Sequence, residues 1–176
     1  MKPDQDRKIV IIGMGYLMEY IAPCYRAVMK DKLPQQIVGV TADEADIPRK
    51  EAATGIHVVL NDNLGTLRAH EPDMIFFAPP PSLAPKLTDE VLVPYFAQLR
   101  AEGKPLPTIY AFPPNPAGRF YQEKLGMDLR IAHFLPNMIS QIAGQDTASA
   151  GYTIVTLPDE HSSWTEEELD FLKRFW

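Results

Sequence analysis

Lys8 to Glu19 reads KIVIIGMGYLME, and this stretch decides how the rest of the chain is read. Ile9-Val10-Ile11-Ile12 is an unbroken apolar run, the pattern of a short strand buried on both faces. Gly13-Met14-Gly15 then turns the chain, and Tyr16-Leu17-Met18-Glu19 opens a helix. A strand, a glycine turn and a helix N-terminus are the parts that hold a dinucleotide pyrophosphate. Gly13 allows a tight turn, and Gly15 lacks the side chain that would keep a phosphate away from the backbone. The helix start supplies unsatisfied N–H groups and the positive end of its dipole. Met18 stands at the third position of GxGxxG, where Gly or Ala is usual. An ordinary glycine turn between strand and helix therefore stays open as the plainer reading.

Outward from that turn, strands and helices alternate. The first helix is expected from Tyr16 to Lys30, with a kink or a short first segment at Pro23, whose ring removes a hydrogen bond. Gln36–Thr41 reads as the second strand, Asp46–Thr54 as a helix capped by Gly55, and Ile56–Leu60 as the third strand. A short helix over Leu64–His70 leads to a fourth strand, Asp73–Ala78, stopped by Pro79-Pro80-Pro81. Leu87–Glu102 has apolar residues at helical spacing, interrupted by Pro94. Strand five (Thr108–Phe112), a helix (Gly118–Leu125), strand six (Leu129–Phe134) and a last strand (Gly151–Leu157) follow. Ser163-Trp164-Thr165 with Glu166-Glu167-Glu168 reads as a final helix N-terminus. The alternation predicts an α/β, doubly wound, mostly parallel sheet of roughly six to eight strands, of the NAD(P)-binding Rossmann-like kind. No linker or repeat divides it, so residues 1–176 are read as a single dinucleotide-binding domain.

Composition narrows the function. A net charge of −6 argues against a nucleic-acid partner, which would select a basic face. No apolar run reaches the roughly 18–20 residues of a membrane span, and the polar start MKPDQDRK does not read as a signal peptide. One cysteine, Cys24, excludes an intrachain disulfide and fits a cytoplasmic setting. His57, His70, His133 and His161 show no metal-ligand spacing, so no metal site is read. Neither GxSxG nor GxxxxGK occurs. No acid–base pair stands out, and the catalytic residues stay unassigned.

For cofactor choice, the second strand ends at Thr41-Ala42 without a carboxylate at its tip, and Arg49-Lys50 lies nearby. That pattern favours NADP over NAD, with Thr41 donating to a 2′-phosphate and Arg49 or Lys50 neutralising it. A solvated loop and a charged helix start explain the same residues equally well. At the far end, Leu169, Leu172 and Phe175 or Trp176 are expected on one helix face, with Phe171 pointing elsewhere.

Several separated landmarks resemble one family. GMGYLME is similar to the GxGxMAE opening of pyrroline-5-carboxylate reductases, and APPP at the end of strand four to their AVKP. HFLPNMISQIAGQ resembles their RxMPNTPxxxGxG segment, and WTEEELDFLKRFW the helix that closes their cofactor domain. The resemblance implies Gly13, Gly15, Tyr16 and Leu17 at the pyrophosphate. It implies Ala78, Pro79 and Pro80 at the adenosine-side ribose and diphosphate, and Asn137 near the nicotinamide. It further implies hydride transfer to a small imine or carbonyl compound, and a dimerising helical domain beyond the closing helix. The sequence ends at Trp176, so the expectation is a homodimer-forming chain or a piece of a longer protein. A non-catalytic nucleotide-binding or interaction module is the alternative.

Overall fold

The computed structural model describes residues 6–29, 36–136, 153–157 and 164–175. Seven strands form one sheet in the order β3-β2-β1-β4-β5-β6-β7. They are β1 (Ile9–Ile12), β2 (Ile37–Thr41), β3 (His57–Leu60), β4 (Met74–Phe77), β5 (Thr108–Ala111), β6 (Ile131–Pro136) and β7 (Thr153–Thr156). β1 lies in the middle, parallel to β2 through Ile9↔Ile37 and to β4 through Ile9↔Met74. Among the described strands only β7 runs antiparallel, pairing with β6 through Leu135↔Ile154. The chain winds from β1 to β3 in one direction, then crosses back to β4. That reversal opens a crevice at the carboxyl ends of β1 and β4, where doubly wound sheets bind their ligands.

The apolar strands are buried on both faces because helices cover both. Ile9, Ile11, Met74 and Phe76 face one core with Met18, Ile21 and Phe171. Val10, Ile12, Ile75 and Phe77 face the other, with Leu67, Phe96 and Tyr121. On the first side lie α1 (Tyr16–Met29), α2 (Ile47–Thr54) and α7 (Glu166–Phe175); on the second, α3 (Asn63–His70), α5 (Val93–Ala101) and α6 (Gly118–Leu125). Each fully buried Ile or Phe contributes roughly 1.5–3 kcal/mol to this two-sided burial.

Gly55 caps α2 in the left-handed conformation (φ 65°), its N–H donating to the Glu51 carbonyl at 2.7 Å. Other boundaries move for identifiable reasons. α1 continues through Pro23 to Met29 instead of stopping in a short first segment. The helix expected from Leu87 starts earlier, as a single turn α4 (Ala84–Leu87) with Pro85 in its first positions. A widened π turn at Thr88–Leu92 then precedes α5. Pro94 stands in the first turn of α5; having no N–H, it is accommodated by that looser turn.

The end of the chain corrects one expectation outright. Phe171 does not point away from the sheet: it is 1% exposed, in the core cluster with Leu172. The Arg7 guanidinium sits 4.4 Å from its ring centroid. Helix α7 starts as expected, in a capping box: Thr165 N–H donates to Glu168 Oε2 (2.9 Å) and Glu168 N–H to Thr165 Oγ1 (3.2 Å). Arg130 pairs with Glu168 on its other oxygen.

Candidate functional site

The glycine turn sits at the carboxyl end of central strand β1, and its two glycines serve different ends. Gly13 has φ 91°, and a Cβ there would lie 2.6 Å from the Ala78 carbonyl oxygen. Glycine is thus demanded by the protein itself, because the loop leaving β4 presses on the turn. Ala78 N–H donates to Ile12 O at 2.8 Å and fixes that approach. The structure therefore brings Ala78 and buried Pro79 against the turn, with Pro80 exposed at the rim. Around Gly15, by contrast, a Cβ would meet nothing within 4 Å. No packing in the described structure requires glycine there, and the space over its Cα is open.

The helix start leaves donors facing that space. The Met18 and Glu19 amides are taken by the Gly15 carbonyl (3.0 and 3.1 Å), and Gly15 N–H by Gly13 O (2.8 Å). Among the described residues, the amides of Tyr16 and Leu17 have no acceptor. They are the first amides of a 14-residue helix, so no carbonyl of α1 can reach them. Tyr16 is 69% exposed at the lip of the crevice. Met14 tucks inward over Gly39 of β2, where a Cβ would come within 2.4 Å of Met14 Cγ. Met18, the anomaly of the motif, is fully buried between helix and sheet. A bulky third residue is therefore accommodated by packing inward, and it does not intrude on the turn.

At the neighbouring tip of β2 the predicted residues form a connected network. Lys50, almost wholly buried, donates from Nζ to Thr41 Oγ1 at 2.7 Å and pairs with Asp46 Oδ2 at 2.9 Å. Asp43 N–H makes a long contact to the same Thr41 oxygen (3.5 Å). With its oxygen accepting, Thr41 keeps its hydroxyl proton for an incoming acceptor. Arg49 makes a two-pronged pair with Glu19 of α1, Nη1 to Oε2 at 2.6 Å and Nη2 to Oε1 at 2.9 Å. It also reaches Asp46 Oδ1 at 3.2 Å. The Glu19 carboxylate, then Asp46, hold the Arg49 proton even more firmly than usual. Hydrogen bonds from Lys50, then Arg49, hold the Asp46 carboxyl below its ordinary range.

Sequence reasoning missed Glu19. Its signal was present: an acidic residue in the first turn of α1, opposite a basic pair in the first turn of α2. The β1-α1-β2-α2 winding puts those two turns side by side on one face of the sheet. Asn137 lies outside the described residues, so the nicotinamide end of the expectation has no structural counterpart here.

His133 is 6% exposed, and its Nε2 lies 2.7 Å from the Pro113 carbonyl oxygen. That nitrogen carries the proton and anchors the loop after β5, so the residue is structural. His57 pairs with Glu51 and His70 with the Gln36 carbonyl; His161 lies outside the described residues. Among the described residues, no three His, Cys, Asp or Glu side chains converge as metal ligands. No described helix is long and apolar enough to cross a membrane.

A cavity of about 320 Å³ lies at the opposite, amino-terminal pole of the sheet, lined by Arg7, Asp73, Met74, Thr108, Arg130 and Glu168 among others. It is remote from the glycine turn, which lies where the strands end.

No protein-family model matches the chain, and no curated protein matches it. Solved structures do. A pyrroline-5-carboxylate reductase from Coxiella burnetii superposes with TM-score 0.68 at 17% identity, over 96% of this chain and 55% of its own. A Plasmodium falciparum pyrroline carboxylate reductase, solved with NADP bound, gives 0.67 at 13% identity, over 97% of this chain and 54% of its own. Prephenate dehydrogenase from A. aeolicus, in complex with hydroxyphenyl propionate and NAD+, gives 0.64 at 15% identity, over 97% and 56%. The chain has the Rossmann-like α/β fold of pyrroline-5-carboxylate reductases and related NAD(P) dehydrogenases, and it spans about half the length of the solved structures it matches.

Proposed function

We propose that this chain is the dinucleotide-binding part of an NAD(P)-dependent oxidoreductase similar to pyrroline-5-carboxylate reductase. The observation that carries the proposal is the pair of uncommitted amides, Tyr16 and Leu17, beside the open space over Gly15. Two uncommitted N–H groups at the positive end of a helix stabilise a pyrophosphate without any basic side chain. Gly13, Gly15, Tyr16 and Leu17 would bind it, and Ala78, Pro79 and Pro80 would wall the adenosine-side ribose. Thr41 and Arg49 would meet the end of the adenosine ribose, with Lys50 held behind Thr41, and their character leads us to read NADP before NAD. Asn137 is assigned to the nicotinamide end by the family resemblance alone. The nicotinamide, when bound, supplies the hydride, and the substrate would be a small imine or carbonyl compound. A substrate-binding half would come from a further domain or a second copy of the chain, in a cytoplasmic setting.

A second reading is a module that binds the nucleotide without turnover. It is favoured by His133, whose proton is committed to Pro113 O, so that it offers no ready acid near the crevice. Calorimetric titration with NADPH and NADH, followed by NADPH oxidation with pyrroline-5-carboxylate, separates the two. Binding with oxidation supports the oxidoreductase, and binding alone supports the module. No binding of either nucleotide would refute both.

A further inference from the structure

We infer that Glu19 sets cofactor selectivity at this site, by competing with a 2′-phosphate for Arg49. The inference rests on the dinucleotide reading above and gives a role to Glu19, the last residue of GMGYLME, which the sequence reading left unassigned. Arg49 is the exposed cation at the β2–α2 tip, with its side chain 56% accessible, yet both prongs of its guanidinium are engaged by Glu19. Lys50 is committed inward, so it cannot swing out without breaking its buried hydrogen bond to Thr41 and its pair with Asp46. Arg49 is thus the group that can turn toward an incoming phosphate, and a planar guanidinium suits one well.

The exchange is not symmetrical. Glu19 is the more buried partner, its side chain only 16% accessible. When Arg49 leaves, the Glu19 carboxylate stays in a partly desolvated position without its main counter-charge, which opposes the exchange. Asp43, Glu44 and Asp46 stand around the same tip and add to the negative field there. A nucleotide carrying only ribose hydroxyls at this position does not require Arg49 to move. Glu19 therefore tempers the preference for a phosphorylated ribose that Thr41 and Arg49 would otherwise give, and does so from α1, one helical turn past Gly15.

Glu19→Gln keeps the shape and removes the charge. In the purified chain, its dissociation constants for NADPH and for adenosine 2′,5′-bisphosphate should fall about two- to fivefold, the scale of one partly screened ionic contact. Those for NADH and AMP should stay unchanged. The gain should vanish in the double variant Glu19→Gln, Arg49→Ala, since Arg49 delivers it. Equal shifts for phosphorylated and unphosphorylated nucleotides would overturn the inference, as would a gain that survives loss of Arg49. Wild-type chain that binds NADH but shows no change with Glu19→Gln would overturn it while leaving the dinucleotide site standing. A wild-type chain that binds none of the four nucleotides would overturn the site itself.

Discussion

The glycine turn and the tip of β2 lie side by side at the carboxyl edge of the sheet, but they are finished differently. At the turn, the Tyr16 and Leu17 amides have no acceptor among the described residues, and the volume above Gly15 is open. At the tip, each cation is already matched by a carboxylate: Arg49 by Glu19 and Asp46, Lys50 by Asp46. A surface with unmatched donors gains by acquiring a ligand. A matched surface gains only if the ligand outcompetes the contact it displaces. The difference teaches that affinity for a dinucleotide should come from the turn, and choice between dinucleotides from the tip.

The sharpest way to break that division is to add one methyl group at each glycine. Gly13→Ala places a Cβ against the Ala78 carbonyl in a left-handed backbone. It should destabilise the fold by more than about 2 kcal/mol, read as a lowered urea midpoint. Gly15→Ala meets no protein atom. It should leave stability unchanged, or raise it by up to about 1 kcal/mol through the unfolded state. Its cost should appear in calorimetry, as a loss of nucleotide affinity on the order of tenfold or more. If Gly15→Ala binds like wild type, the open space is not where the pyrophosphate sits.

Next in size is Thr41→Val, which probes the tip. It removes the oxygen that Lys50 Nζ donates to and leaves that buried ammonium with Asp46 alone. A stability loss of about 1–3 kcal/mol is expected. Nucleotide binding without a 2′-phosphate should be nearly unaffected, whereas binding with it should weaken.

These cases also show what could be read from the residues alone. KIVII, the glycine turn and the strand–helix alternation report local sterics and two-sided burial, so they predicted the sheet and the position of the turn directly. The neighbourhood of Ala78 followed from a family likeness, and the contact with Gly13 then gave it a physical cause. Glu19–Arg49 was not legible, because a carboxylate in a first helical turn is also the ordinary partner of a helix dipole. Only the packing of α1 beside α2 separates the two meanings. Phe171 failed for a related reason. Helical spacing describes one stripe, but α7 buries a wider face, with Phe171 and Leu172 adjacent and both covered. Arg7, far away in sequence, supplies the partner over the Phe171 ring.

A smaller effect comes from the opposite pole. Thr165→Ala opens the capping box of α7, which should lower stability by about 1 kcal/mol in urea. Because Thr165 lines the cavity at the amino-terminal edge of the sheet, nucleotide affinity should not change. A loss of binding there would mean that the two poles are coupled, and that the division between turn and tip is too local.

The smallest effect tests the charges at the tip through pH. Asp46 is held below its ordinary value of 3.8 by hydrogen bonds from Lys50 and Arg49. A carboxyl depressed in the folded state stabilises it fully above the unfolded value, and that contribution is lost as pH falls through the folded one. The stability difference between wild type and Asp46→Asn should therefore be flat from about pH 7 to 5 and shrink below about pH 4. Added salt should reduce it, since the Asp46 side chain is partly open to solvent and screened. Glu51 and Glu71 are depressed too, by contacts of their own, but they are common to both proteins and cancel in the difference. Asp46 also steadies Arg49, so Asp46→Asn should relax Arg49 without releasing it from Glu19. The gain in NADPH affinity should then be smaller than for Glu19→Gln. An equal or larger gain would move control of the tip from the α1–α2 pair to α2 alone.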